Sequence, residues 1–290
     1  MPSKIVLTPA MHCEHCKARI ETTIKELANI NGVFADPKTK TVTVMWDEPQ
    51  NWQTIAARLA EIGYPNQPLN EIKRHVAIVL YDGFTALDAV GPYEVLVSLP
   101  DTQVHFVSNQ HGAVWADTGQ LALTATATFD ELPNPAIIVV PGGGHGIMKA
   151  VENLALMTWI KQAHETSEWT TSVCTGVYVL GMAGILQGLN VTTHWGSRSF
   201  MQQYCGATYV PERFVQQGKV ITAAGVSSGI DMALFLAEKL SNPKTAQAIQ
   251  LACEYDPHPP FNTGNFQTVD PELITEANNV IQFYRVNPIN

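Results

Sequence analysis

Four short runs, at 76–80, 104–107, 137–140 and 170–173, are of the kind a chain buries as strands with both faces covered. Between and after them, apolar residues recur at helical spacing around 90–98, 151–165, 176–184, 228–240 and 244–254. This alternation predicts an α/β fold, a doubly wound and mostly parallel sheet whose ligand site lies at the carboxyl ends of the strands. Few other architectures accommodate such a pattern.

The first 70 residues follow a different rule. Ile5 and Leu7 alternate with polar neighbours as in a strand, and Ile20, Ile24 and Leu27 repeat at helical spacing. Strands at 33–35 and 41–45 flank a turn at 36–39, with Val42 and Val44 on one face, and Trp52, Ile55, Leu59 and Ile62 form a second helical stripe. The order is βαββα, a small α+β sandwich with a weak signal for a closing fourth strand. Prolines and polar residues at 64–73 read as a connection. The expected division is a small domain over 1–68, a linker over 69–74 and a large domain over 75–290. Charge divides the same way: residues 1–73 carry 8 basic and 8 acidic side chains, and residues 74–290 carry 9 and 18.

Apolar residues make up 46% of the 290, enough for a sizeable core, which excludes a disordered chain. The net charge of −9 argues against a nucleic-acid partner. No run approaches 18 apolar residues, and the N-terminus lacks the apolar stretch of a secretory leader, so neither a membrane span nor export is expected. Five cysteines, an odd number in a long chain, fit a reducing compartment. A cytoplasmic protein is the expectation.

Chemistry concentrates in three stretches of the large domain. Cys174 falls on the turn between the strand ending at Val173 and a helix beginning after Thr175-Gly176, where helix-terminal N–H groups favour a nucleophilic thiolate. A lone cysteine is more often a buried structural one; the topological position reverses those odds. Pro141-Gly142-Gly143-Gly144-His145-Gly146 follows another strand, and its glycines let backbone N–H groups approach a ligand as an oxyanion hole would. The alternative is a plain turn, since the run has neither dinucleotide-fingerprint nor P-loop spacing. Asp88 stands among Ala86, Leu87, Ala89 and Val90, company in which burial favours the neutral acid and suits it to move protons. A helix N-cap is the competing reading.

Together these stretches resemble the ThiJ/PfpI superfamily, and within it the isocyanide hydratases. The resemblance rests on Leu87-Asp88 with Gly91-Pro92, Pro141-Gly142-Gly143, Ser172-Val173-Cys174-Thr175-Gly176, Thr192-Thr193-His194-Trp195 and further ordered matches to Phe261. It implies a flavodoxin-like fold, Cys174 as nucleophile, Asp88 as acid and base, and Thr175 holding the reacting group. Gly143, Gly144 and the Thr175 amide would line the oxyanion side, with His194 nearby. It implies hydration of an isocyanide to an N-substituted formamide with no cofactor for the catalysis, and a homodimer. Glyoxalase-like and deglycase-like relatives place His directly after the nucleophile, where this chain has Thr175. Transcription regulators of the superfamily add a C-terminal DNA-binding domain, whereas here one helix, at 272–284, follows Phe261.

In the small domain, Cys13 and Cys16 sit between the first strand and the first helix, a spacing that grips one soft ion, Cu(I) or Zn(II), or serves as a redox dithiol. With Met11 before them and the βαββα order, residues 3–65 resemble heavy-metal-associated domains of copper chaperones and copper ATPases. His12 and His15 are expected to be solvated, Met182, Met201 and Met232 to pack, and Cys205 and Cys253 receive no role. A metal- or oxidant-responsive stress protein with Cys174 as redox sensor is the second reading.

Overall fold

The computed structural model describes residues 2–68 and 74–286. Apart from Arg74, the linker expected at 69–74 lies outside the described residues. The chain forms two compact units, Met1–Glu71 and Ile72–Asn290.

The first unit runs β1 (Ser3–Leu7), α1 (Glu14–Lys25), β2 (Ile30–Asp36), β3 (Thr41–Trp46), α2 (Trp52–Glu61) and β4 (Gln67–Pro68). Its antiparallel sheet has the order β2-β3-β1-β4, so the weakly signalled fourth strand exists as a two-residue pairing with β1. The strand expected from Ile5 and Leu7 also forms, but its buried member is Val6, and Ile5 is 49% exposed. The register explains this: Val6 pairs with Val42, and paired residues share a face, here the one beneath the helices. Ile20 and Ile24 of α1 and Ile55 and Leu59 of α2 complete a separate core with Val42 and Val44.

The second unit opens with β5 (Arg74–Val79), α3 (Ala86–Leu96) and β6 (Thr102–Ser108), followed by a hairpin, β7 (Gly112–Trp115) with β8 (Ala122–Ala125), and the short β9 (Ala127–Thr128). Next come β10 (Ile137–Val140), α4 (Gly146–Glu152), α5 (Leu154–Thr166), β11 (Trp169–Val173) and α6 (Val177–Met182). Then follow β12 (Asn190–Val191), α7 (Arg198–Tyr204), β13 (Thr208–Tyr209), β14 (Phe214–Gln217), β15 (Val220–Ala223), α8 (Ser228–Leu240), α9 (Pro243–Ala252) and α10 (Pro271–Val286). The single helix expected over 151–165 is two: Asn153 leaves helical geometry between α4 and α5, and its side chain caps α5 by accepting from the Leu156 N–H.

Seven strands form the central sheet in the order β14-β15-β11-β10-β5-β6-β9, parallel except for β14 on β15. Ile137–Val140 of β10 is buried throughout, as its apolar sequence requires. The chain first builds outward from β5 through β6, then returns to β10 and builds the other way. The switch falls between β5 and β10, so a crevice opens beyond their carboxyl ends. Two of the chemistry-bearing stretches begin there, after β5 and β10, and the third follows the adjacent β11. Among the described residues, no helix is long and apolar enough to cross a membrane.

Candidate functional site

Cys174 follows the last residue of β11 and starts a 3-10 turn, Cys174–Gly176, that runs into α6. Its φ is +57°, a left-handed conformation that costs a side-chain-bearing residue about 1–3 kcal/mol and needs outside support. That support is visible. Its N–H donates to the Ala224 carbonyl at 2.8 Å, and its carbonyl accepts from Thr193 Oγ1 at 2.9 Å. The turn also presses Gly176 against the carbonyls of Val140 and Pro141, leaving no room for a Cβ. The thiol is 3% exposed, beside a cavity of about 260 Å³ walled by Gly143, Gly144, Thr175, Tyr178, His194 and Ile281.

Asp88 reaches the same place from α3. Thr85 holds the N-cap position, so Asp88 is the third helical residue, and it is fully buried. Its Oδ2 accepts from the Gly142 N–H at 2.9 Å, which makes it a brace to the glycine loop and not a cap of its own helix. Gly142 must be glycine: a Cβ there would sit 2.6 Å from the Thr175 nitrogen and 2.8 Å from Asp88 Oδ2. Those two distances also keep Asp88 Oδ2 within about 5.4 Å of the Thr175 nitrogen, in the residue that follows the cysteine.

The glycine loop is locked to the Cys174 turn by Thr175. Its Oγ1 accepts from the Gly143 N–H at 2.9 Å and donates to the Gly143 carbonyl at 3.0 Å. The Gly143 amide, expected to face a reacting atom, is thus directed at Thr175, because the two turns approach closely enough to pair. His194 caps the following 3-10 turn, Nδ1 accepting from the Gly196 N–H at 3.2 Å, and lines the cavity.

Tyrosines missed in the sequence complete the surroundings. Tyr81 is buried behind the glycine loop and donates to the Pro141 carbonyl at 2.8 Å. Burial first, then the negative charges of Asp88, Cys174 and Asp117, hold its phenol well above the ordinary range. Tyr178 donates to the Ser197 carbonyl at 2.9 Å, and burial pushes its phenol up to about 12. Both therefore stay protonated as donors. The available signal was the position of Tyr81, two residues past the end of β5 at the switch point. Ile281 of α10 had none, since it reaches the cavity from more than 100 residues away.

In the first unit, Cys13 holds the N-cap position of α1, and Cys16 lies in its first turn. Their sulfurs are 3.3 Å apart. Tetrahedral zinc with Zn–S bonds of about 2.3 Å would put them about 3.8 Å apart, so a small opening of this exposed loop admits an ion. Hydrogen bonds from the His12 backbone, the Tyr64 hydroxyl and the Cys13 thiol, in that order, bring the Cys16 thiol down to about 6. A thiolate at neutral pH suits a soft cation. Tyr64 was read only as the start of the connection; the tertiary fold carries its hydroxyl to Cys16, and that contact raises its own pKa. His12 and His15 are exposed as expected, and Met11 is wholly buried in the core. Met201 and Met232 pack inside, whereas Met182 is 49% exposed because it ends α6 at the surface. Cys205 is buried, which pushes its thiol up to about 11, and Cys253 is exposed.

Comparison with known proteins follows the same division. Residues 74–239 match the DJ-1/PfpI family and residues 5–65 match the heavy-metal-associated domain. An isonitrile hydratase from Pseudomonas putida is 41% identical over 202 residues, 70% of this chain and 87% of the hydratase. The HTH-type transcriptional regulator GbdR from Pseudomonas aeruginosa is 27% identical over 63% of this chain but only 51% of its own length. A THiJ/PfpI family protein from Pseudomonas syringae superposes with a TM-score of 0.69 at 31% identity, over 74% of this chain and 89% of that one. By the family match over residues 74–239 and the 41% identity to the hydratase, the chain belongs to the DJ-1/PfpI family and carries a heavy-metal-associated domain ahead of the family fold.

Proposed function

We propose that the second unit hydrates an isocyanide to an N-substituted formamide. The observation that carries this reading is the convergence of Asp88 on Gly142, and of Gly142 on Thr175 next to Cys174, in a chain 41% identical to an isonitrile hydratase. The Cys174 thiolate attacks the terminal carbon of R–N≡C, forming a C–S bond, while Asp88 as the acid delivers a proton to that carbon. The product is a thioimidate, R–N=CH–S. Asp88, now a carboxylate, takes a proton from water as the hydroxyl adds to the carbon, and that proton passes to nitrogen. Collapse breaks the C–S bond, the hydroxyl proton leaves through Asp88, and R–NH–CHO departs from a restored thiolate and acid. Thr175, paired with Gly143, and Gly144 hold the reacting group in the cavity, and His194 closes its far wall.

The first unit is proposed to bind one soft ion, Cu(I) before Zn(II), through Cys13 and Cys16. Such an ion would supply a thiophilic centre at the exposed end of α1, and no step of the hydration runs through it.

Formamide release from a simple aliphatic isocyanide, followed with Cys174→Ala as the blank, tests the hydratase reading. Many turnovers per thiol that vanish in the variant are expected. A single stoichiometric event with consumption of the thiol would instead establish the sensor reading.

A further inference from the structure

A second cavity, of about 440 Å³, lies beside the nucleophile's cavity and shares His194 with it. It touches the reacting machinery from behind at three points. Leu87 precedes Asp88, Ala224 receives the Cys174 N–H, and Thr193 holds the Cys174 carbonyl. His194 lines both spaces where they meet, and its ring fits there because Gly225 has no Cβ to meet it at 2.5 Å.

The two cavities offer different chemistry. The first surrounds the thiol with the glycine loop, Thr175 and the aliphatic side chains of Ile147 and Ile281. The second presents flat aromatic faces, Trp195, Tyr209 and Phe266. The Trp195 and Phe266 rings are nearly parallel, 20° between planes with centroids 6.2 Å apart, and the Arg198 guanidinium sits 5.1 Å over Phe266. The charges in the wall do not call for an ion. Arg213 is already paired with Asp231 and donates to Ser227 Oγ at 3.2 Å, and the exposed carboxylate of Glu212 repels an anion.

An isocyanide is linear from its substituent through nitrogen to carbon. With the carbon at the thiol, the substituent must project along one line away from the sulfur, and it swings aside when the carbon becomes trigonal in the thioimidate. A neighbouring space that shares its His194 wall with the first gives room for both. We propose that the second cavity receives the substituent on the isocyanide nitrogen and that the preferred substituent is an aryl or arylalkyl group. The proposal rests on the hydratase reading for its substrate, and on the cavity alone for its ring.

The test compares benzyl with tert-butyl isocyanide in the full-length protein. The ratio of their kcat/KM values is expected to fall at least tenfold in Phe266→Ala, with an intermediate fall in Phe266→Leu, which keeps the bulk and loses the flat face. A ratio within twofold of the wild type in both variants overturns the proposal. A second readout needs no turnover: N-benzylformamide titrated into Cys174→Ala protein should quench tryptophan emission saturably, and adding Trp195→Phe should abolish that quench. A quench that is absent, or indifferent to Trp195, also overturns it. If the wild type hydrates no isocyanide, the hydratase reading fails while the quench still decides whether the cavity takes a ring.

Discussion

Cys174 is held at a backbone angle that a residue with a side chain avoids, and two hydrogen bonds and a glycine contact hold it there. The carboxylate proposed as its proton-transfer partner accepts from the Gly142 N–H. Replacing Asp88 with Asn keeps the brace geometry but removes the exchangeable acid. Turnover is expected to fall by about 10²–10⁴-fold, the usual worth of a positioned acid–base, with the fold intact by circular dichroism. Full turnover in Asp88→Asn would remove Asp88 from the chemistry. In the first unit the pH dependence has a definite sign. With Cys16 ionising at about 6, protons compete with metal at that sulfur only as the pH falls through 6, and not between 6 and 9. Tyr64→Phe removes one donor to the thiolate, so this loss of affinity should begin at higher pH. A competition titration against a chromophoric chelator from pH 5 to 8 reads both. These candidates were legible because chemistry-bearing side chains stand at strand ends and helix starts. Tyr81, Tyr178 and Tyr64 were not, because a phenol earns its role here from neighbours distant in sequence.

The element that aims Asp88 is α3, seated on α8 by small residues. A Cβ on Gly91 would come within 3.0 Å of the Ile230 side chain, and one on Gly229 within 3.1–3.2 Å of Val173 and Pro92. Gly229→Val therefore overpacks this contact, which should destabilise the second unit by about 1–3 kcal/mol in urea unfolding and tilt Asp88 away from Gly142. A larger loss of turnover than of folded fraction, read at low denaturant, separates the tilt from simple unfolding. Existence and type were readable for the strongly patterned elements: β10 coincides with its apolar run, and α8 with its helical stripe. The edge and hairpin strands β7, β8, β9 and β12 to β14 were not, being two to four residues long without a continuous apolar run, and neither was the interior strand β15, whose run is interrupted by Thr222. The inward parity of β1 was hidden as well, since alternation reports two faces and only pairing with β3 says which is buried.

On the scale of the molecule, each unit has its own core. Removing residues 1–71 should leave the thermal transition of the second unit, and its formamide turnover, where they stand in the full chain. A drop in either would mean that the small unit supports the large one. Much of this organisation follows from sequence alone. Apolar runs and helical stripes specify which segments are buried strands and which are covering helices, and the two patterns mark off two units. The thiol pair and the nucleophile turn are local too, each lying within a few consecutive residues. Only the tertiary structure decided what surrounds them. It brought Asp88 across 54 positions to Gly142, turned the Gly143 amide onto Thr175, carried Tyr64 to Cys16, and built a second cavity beside His194. Local pattern reports how strongly a residue seeks burial. Which residues then share a site depends on strand order and on the side to which each crossover returns, and these follow from packing the whole chain.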